Sequence, residues 1–472
     1  MLLALTSLLT AACTEEAREQ FLDELEERRR QRLLEERSAG SGQASRPVPS
    51  GSTRFQPAFQ AEGELVAIAY RVADERVVEL TTRAAIERGR PRRRRVVPGS
   101  TGVIALGPAH AIWIEPWSEG EGDAFRVASS DDLESPDGGP EEWRPDFGRP
   151  LDVSEHRVAG PWVAWLESRE DERFRIALGD VTRPASEAID LGAFENGFPE
   201  FVFSEERLVW RDRAHVYALV APFDTAHVEV LADLSETGSR LGVRLRGEGA
   251  LSAWQDRGEV FVFDATQPIE PGENPRRIQG AGLHAASGRF VLYRDPDAAL
   301  RAFDRLHPLE TPRRIEGSPT ISAAPERQPK LFGRYVVWTG TGGIGVDVVC
   351  SGGPSSRSVY VEDLTDPDPT TSRRSAPVGS RDLTYLRGSA AGVAWWVRGC
   401  DERIVAYWNP DAPTEPGVNP VRIPVQYEEH VQLSLDERGL TIYEVVADGE
   451  DAPGRLDHLD LISLRVASDP PE

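Results

Sequence analysis

An all-β fold built from one repeated sheet unit is what this sequence predicts, and three observations predict it. Short apolar runs ending in an aromatic recur along the chain: "GRYVVW" (333–338), "GRFVLY" (288–293), "GPWVAW" (160–165), "EERLVW" (205–210) and "EGALSAW" (248–254). They return at a nearly constant interval. Beyond residue 53 no long helical period interrupts them, and 42 glycines and 36 prolines supply the turns that many short strands need.

The interval sets the architecture. Aligning the aromatics Tyr70, Trp113, Trp165, Trp210, Trp254, Tyr293, Trp338, Trp396 and Tyr443 gives successive differences of 43, 52, 45, 44, 39, 45, 58 and 47. Four-stranded propeller blades repeat at about 40–50 residues. Each unit has further parts. After the aromatic comes a polar turn, as in "RDRAH" (211–215), "QDRGE" (255–259) and "RDPDAA" (294–299). A further strand follows, as in "VYALV" (216–220), "VFVFD" (260–264) and "VYVED" (359–363). A proline-bearing link then leads to a last strand: "NPRRIQG" (274–280), "TPRRIEG" (311–317) and "NPVRIPV" (419–425).

Stacked blades explain the pattern. Tyr335, Val336, Val337 and Trp338 are apolar on both alternating faces, whereas a sheet with one wet face alternates apolar and polar residues. A strand apolar on both sides needs cover on both, which sheets packed face to face around an axis provide. The glycine before the run permits a tight turn with positive φ. Val359 and Val361 alternate with Tyr360 and Glu362, as expected further from the axis. The aromatics are read as packing anchors between blades.

Nine anchors exceed the usual four to eight blades. The first unit (about 55–97) and the last (about 428–466) are therefore expected to share one sheet, giving eight blades, with seven as the alternative if the unit around Trp113 is an insertion. The propeller is assigned to 54–468 and a tail to 469–472. With "GRYVVW" and "VYVEDL" side by side, the layout resembles the TolB-type or WD40-like propeller repeats of bacterial envelope proteins. The resemblance covers most of 55–466 as a pattern and implies a propeller architecture in the envelope.

The first 53 residues read differently. "MLLALTSLLTAAC" (1–13) is apolar and ends in small residues before Cys13. It is too short to span a bilayer, which takes about 20 residues. It resembles the lipobox of bacterial lipoproteins, with Thr10 where leucine is usual and no cation ahead of the apolar run. That resemblance implies lipidation of Cys13, and Thr14 in place of an aspartate implies the outer membrane. Residues 14–37 are expected to form a charged helical stalk: Ala17, Phe21 and Leu25 fall on one face, and Glu24–Arg28 and Glu26–Arg30 are favourable i,i+4 pairs. Residues 38–53, "SAGSGQASRPVPSGS" and one more, read as a flexible linker.

Composition narrows function by exclusion. A net charge of −24 argues against nucleic-acid partners, and the one dense basic run, "RGRPRRRR" (88–95), reads as a solvated loop feeding a strand. Lys330 is the sole lysine. Cys350 and Cys400 fall in the same hairpin turn of successive units, so a disulfide between them is expected, with two separate thiols as the alternative. No nucleophile elbow, H-E-x-x-H, Cys/His zinc spacing, P-loop or dinucleotide fingerprint is present. The eight histidines (110, 156, 215, 227, 284, 307, 430, 458) form no i,i+2 or i,i+4 ligand pair. The acidic stretches "EGEGD" (119–123) and "SSDDLESPDGG" (129–139) lack the D-x-[DN]-x-[DN]-G calcium frame and read as solvated loops. No catalytic residue, metal or cofactor is assigned. The expected function is a non-catalytic binding or scaffolding propeller that is lipid-anchored at the outer membrane and meets an envelope protein or glycan. The alternative is an envelope hydrolase or lyase with acids and histidines gathered at the axis.

Overall fold

The computed structural model describes residues 58–72, 75–88, 94–96, 104–117, 119–135, 138–168, 173–195, 200–212, 214–223, 227–234, 245–280, 282–315, 329–341, 349–350, 353–354, 357–368, 371–377, 382–398, 403–414, 419–425, 430–445 and 455–460. The leader, stalk and linker (1–53), and with them Cys13, lie outside the described residues, as does the tail.

The described residues form nine antiparallel blade sheets in sequence order, with a further two-stranded sheet (Val349–Cys350 with Gly353–Pro354) inserted in the seventh. Blades 1–9 occupy residues 58–96, 104–143, 153–195, 200–233, 245–279, 282–314, 330–377, 382–424 and 430–460. Each has four strands in simple up-and-down order except blade 9, which has three among the described residues. The first strands touch one another around the ring and form its inner wall. Between blades 7 and 8 that contact includes the Lys330 ammonium donating to the Leu386 carbonyl at 3.3 Å.

The expected count of eight, or seven, is corrected to nine. The unit around Trp113 is a complete blade, with strands Ile104–Leu106, His110–Pro116, Asp123–Ser129 and Glu141–Trp143. The first and last units do not share a sheet. Ala58–Glu62 pairs with Leu65–Val72 inside blade 1, and His430–Leu435 pairs with Gly439–Val445 inside blade 9. Both carry their own hairpins, so among the described residues the two end sheets meet through side-chain contacts and no strand passes from one to the other.

The second strands are buried on both faces: Ala111 to Ile114 and Val336 to Val337 are fully covered, with Tyr335 and Trp338 almost so. Eight apolar clusters each join two successive blades, from Leu65, Ala67, Ile104 and Trp113 between blades 1 and 2 to Trp396, Tyr407, Leu433 and Ile442 between blades 8 and 9. Gly160, Gly249, Gly288 and Gly333 turn the first strand into the second with φ between 49° and 56°, a region that disfavours any Cβ.

Each of the nine aligned aromatics lies in the second strand of a different blade, though not always in the same register. In blades 2–7, Trp113, Trp165, Trp210, Trp254, Tyr293 and Trp338 stand three residues beyond the one paired with the end of the third strand, for example Tyr335 opposite Asp363. They face the preceding blade. In blade 8 the same count from the Val393–Trp408 pair reaches Trp396, yet Trp396 packs on blade 9 and its neighbour Trp395 faces blade 7. In blade 9 it is Ile442 and not Tyr443; in blade 1 it is Ile68, two residues before Tyr70. One step along a strand reverses the face.

Neighbouring strands reinforce the anchors. Trp210, Trp254 and Trp338 stack on Tyr217, Phe261 and Tyr360 of the third strand, with ring centroids 5.4–5.6 Å apart. Trp113 and Trp165 donate their indole N–H to Glu115 and Glu167, two residues on and on the same side of the strand, at 2.8 and 3.0 Å. Glu362, expected to be on a wet face, is buried, because Arg313 of blade 6 and Arg373 each bond it at 3.0 Å.

Among the described residues two one-turn α-helices interrupt the strands: α1 (Arg83–Glu87) and α2 (Ser130–Glu134). The second corrects the reading of residues 129–139 as an acidic loop. Ser129 and Asp132 form a reciprocal capping box at its N-terminus, so the acids start a helix.

Candidate functional site at the propeller axis

A first strand has no partner on its axial edge, so its polar side chains border the bore. Blades 8, 9, 1, 2 and 3 form an arc around a cavity of about 380 Å³. Arg387 and Arg157 stand at the two ends of the arc, with Gln60, Glu62 and Ser434 between them and Ala105, Ile104, Leu106 and Leu433 supplying small and apolar wall. These residues come from the ends of first strands nearest their turns, so the cavity lies toward the face that carries those turns.

The two arginines are placed by their strands. Arg157 is held by Glu155, two residues back on the same side, at 3.1 Å, and its guanidinium lies 4.8 Å from the Phe201 ring centroid in blade 4. Arg387 follows a register shift in its hairpin and donates to the Leu386 carbonyl at 3.2 Å. Ser434 donates to the Ala61 carbonyl at 2.9 Å, joining blade 9 to blade 1 at the cavity wall.

Glu62 is the carboxylate of the lining. It is open to bore water yet enclosed by the ring, and this enclosure raises its pKa to about 7. The Asp436 carboxylate pushes the same way, Arg83 opposes, and Glu248 across the bore adds a smaller upward push. Arg83 itself is almost fully buried and clasps Asp436 through both guanidinium nitrogens, at 2.6 and 2.5 Å. His156, the histidine of the lining, is turned into the protein: its Nε2 meets the Ile112 carbonyl at 3.2 Å. Burial lowers its pKa to about 4, so it is neutral and acts as part of the packing.

The other sequence-marked residues are not gathered here. Cys350 ends a two-residue strand in the excursion between the second and third strands of blade 7. Cys400 and the side chain of Cys350 lie outside the described residues, and so does the expected disulfide. The remaining histidines are spread over blades 2, 4, 6 and 9 and their turns. In "EGEGD", Asp123 is structural: its carboxylate accepts the Val153 N–H at 3.0 Å and so fastens blade 2 to blade 3. Among the described residues no group of three or more His, Cys, Asp or Glu side chains is placed to hold a metal ion. No described helix is long and apolar enough to cross a membrane.

Sequence reasoning missed several organising residues. Asn274 and Asn419 make the same clip in blades 5 and 8. Each Oδ1 accepts a backbone N–H at the end of the third strand at 3.0 Å (Asp264, its last residue, in blade 5; Asn409, the residue after it, in blade 8), and each Nδ2 bonds three nearby carbonyls at 2.8–3.1 Å. The repeated Asn-Pro pair was the available signal. Arg157, Arg387 and Glu62 carried none, because first strands lack the aromatic signature.

No protein-family model matches the chain, and neither does any curated protein. Solved structures do resemble it. The WD40 domain of SCAP from fission yeast matches at 10% identity over 74% of this chain and 95% of that one, with a TM-score of 0.38. BamB from Moraxella catarrhalis matches at 12% identity over 77% and 95%, with a TM-score of 0.36. A prolyl endopeptidase matches at 13% identity over 69% of this chain and 49% of its own, also with a TM-score of 0.36. At these identities and TM-scores the likenesses carry no functional argument, and function has to be argued from the site.

Proposed function

We propose that this protein is a non-catalytic binding or scaffolding propeller of the bacterial envelope. It is anchored at the outer membrane through lipidated Cys13, faces the periplasm, and engages a protein or glycan partner. The observation that carries binding over catalysis is the makeup of the axial cavity. Two arginines mark its ends, and arginine stays protonated at every physiological pH, so it attracts and orients without moving protons. Its histidine is committed to a carbonyl. The envelope address rests on the leader of residues 1–13 and on the resemblance of the repeat.

Two experiments test this reading. Cys13→Ser should move the protein from the membrane to the soluble fraction and abolish palmitate labelling; retention of the variant in membranes overturns the anchor. Photocrosslinkers placed on the face of the first-to-second-strand turns should capture an envelope partner that the same probes on the opposite face do not. Equal capture from both faces, or none, overturns the scaffolding role.

A second reading, hydrolase or lyase, draws on Glu62, whose pKa of about 7 suits a general acid. Turnover of envelope glycans or peptides by the purified protein, lost in Glu62→Gln, would install that reading in place of the first.

A further inference from the structure

The mouth of the bore is more acidic than its own cations can neutralise. The nine turns from first to second strand carry five carboxylates, Glu64, Glu205, Glu206, Asp436 and Glu437, and three arginines, Arg289, Arg334 and Arg438. Each of these arginines already has a carboxylate partner: Asp304, Asp411 and Glu64 in turn. Asp436 is held by Arg83. Glu205 and Glu206 of blade 4 and Glu437 of blade 9 are exposed and make no ion pair among the described residues. Just inside the turns, Glu62 and Glu248 end the first strands of blades 1 and 5. Glu248 accepts from the Ser287 hydroxyl at 2.5 Å. The Glu62 carboxylate, in the cavity wall, has neither a hydrogen bond nor an ion pair among the described residues.

We propose that this mouth is the docking surface for a basic segment of a partner protein, one of whose lysine or arginine side chains enters the axial cavity and pairs with Glu62. This rests on the binding reading above and names the chemistry of the partner. Charge complementarity selects the occupant. Unpaired carboxylates on blades 4, 9 and 1 meet cations along a segment laid across the opening, and a net charge of −24 steers cations toward it. The cavity selects the side chain. About 380 Å³ admits the end of one long side chain and excludes a folded domain. Leu433, Leu106 and Ala105 offer the methylene stem an apolar wall while Glu62 takes the charged head. Arg157 and Arg387 stand one pleat deeper, two residues before the last of their strands, and are engaged by the Glu155 carboxylate and the Leu386 carbonyl. They bound the cavity below Glu62 and repel a cation that would go further. The charges acting on Glu62 are instead Asp436 and Glu248 against Arg83, with the Glu64–Arg438 pair on the adjoining turns neutral as a whole. Two negative neighbours and one positive leave Glu62 suited to a cation that the protein does not itself supply. The same surroundings couple docking to pH. They hold the Glu62 carboxyl at about 7, and a cation pairs with the ionised form, so docking expels the proton and strengthens as pH rises from about 6 to about 8.

The test is fluorescence anisotropy of a labelled, end-blocked tetralysine peptide titrated with the full chain, with the matching tetraglutamate peptide as control. The expected result is binding of the lysine peptide and none of the glutamate peptide. Glu62→Gln should weaken binding about fivefold or more and remove its rise between about pH 6 and pH 8. Glu205→Gln combined with Glu206→Gln should weaken it about two- to fivefold. Glu141→Gln, on the exposed outer strand of blade 2, removes the same charge far from the mouth and should leave the affinity unchanged. Equal losses in Glu62→Gln and Glu141→Gln would reduce binding to net charge and overturn the proposal. So would an absence of binding at about 0.1 mM protein, or an affinity that does not respond to pH in that window. Partner capture by the crosslinkers is a separate readout. Capture that persists undiminished in Glu62→Gln and in the Glu205/Glu206 variant overturns the basic-segment inference and leaves the scaffolding reading standing. Capture that fails while the lysine peptide binds as expected overturns the scaffolding role and leaves the acidic mouth standing.

Discussion

The junction between blades 9 and 1 is built unlike the eight others. Elsewhere, two sheets meet through apolar clusters centred on the second strands, such as Phe290, Leu292, Val336 and Trp338 between blades 6 and 7. At the closing junction no cluster of that kind is found among the described residues. Polar ties stand there instead: Arg83 on Asp436, Ser434 on the Ala61 carbonyl, Arg438 beside Glu64, and His458 3.5 Å from Glu87. Val66 and Ile68 of blade 1 are buried there, and by strand alternation they face Thr441 and Tyr443. Apolar burial is non-directional and suits any pair of neighbouring blades. Charged pairs demand one geometry, so they specify which two blades meet and in what register. The lesson is that the repeated junctions hold the ring together and the unique one decides where it ends.

That contrast can be broken at either side. The largest effect belongs to the apolar junctions. Trp338→Ala should lower stability by roughly 3–5 kcal/mol in urea unfolding, and a loss under about 1 kcal/mol would remove Trp338 from the core. At the closing junction Arg83→Met should cost about 2 kcal/mol, because Asp436 is left facing Glu62 without its cation. A change within about 0.5 kcal/mol would show that the pair contributes nothing to closure.

Glu62 sharpens the comparison through pH. Its folded pKa of about 7 lies above the ordinary 4.5, so the native state holds this proton more tightly than the unfolded chain does. Stability from this group is therefore greatest below pH 4.5 and is lost as pH rises toward 7. Enclosure is the largest cause of the shift; of the charged neighbours, Asp436 and Glu248 add to it by favouring the neutral form and Arg83 opposes it. Glu62→Gln should flatten the stability profile across that window; an unchanged profile would assign the slope to other groups. The smallest effect is expected for Arg438→Ala. Its pair with Glu64 is half exposed, so a loss of about 0–1 kcal/mol that fades at high salt is the expected result.

How much of this was legible follows from what each residue faces. The strand type and the repeat were readable because Trp165, Trp210, Trp254, Tyr293 and Trp338 occupy one register position and pack against one kind of neighbour. The anchor was misplaced where a second aromatic beside the first took the face toward the preceding blade, as with Trp395 and Trp396, or where an aliphatic filled the position, as with Ile68 and Ile442. The blade count failed for a related reason. Strand exchange between the ends is a common way to close a ring, and the ties that replace it here join Arg83 to Asp436 across 353 residues, a distance at which sequence offers no pattern. The axial site was illegible because Arg157 and Arg387 lie in first strands that carry no repeated aromatic, and only the ring brings them to one cavity.

Closure by a salt link between residues 83 and 436 also orders events in time. Synthesis delivers blade 1 first, and each later blade can dock on its predecessor as it leaves the ribosome. The far side of blade 1 must wait for the last hairpin to be made. During that interval the growing arc is a split washer whose two lips are complementary, and a second arc in the same state offers an equally good lip. The second arc carries the same Arg83 and Asp436, so what favours the single ring is the high effective concentration of a chain's own second lip.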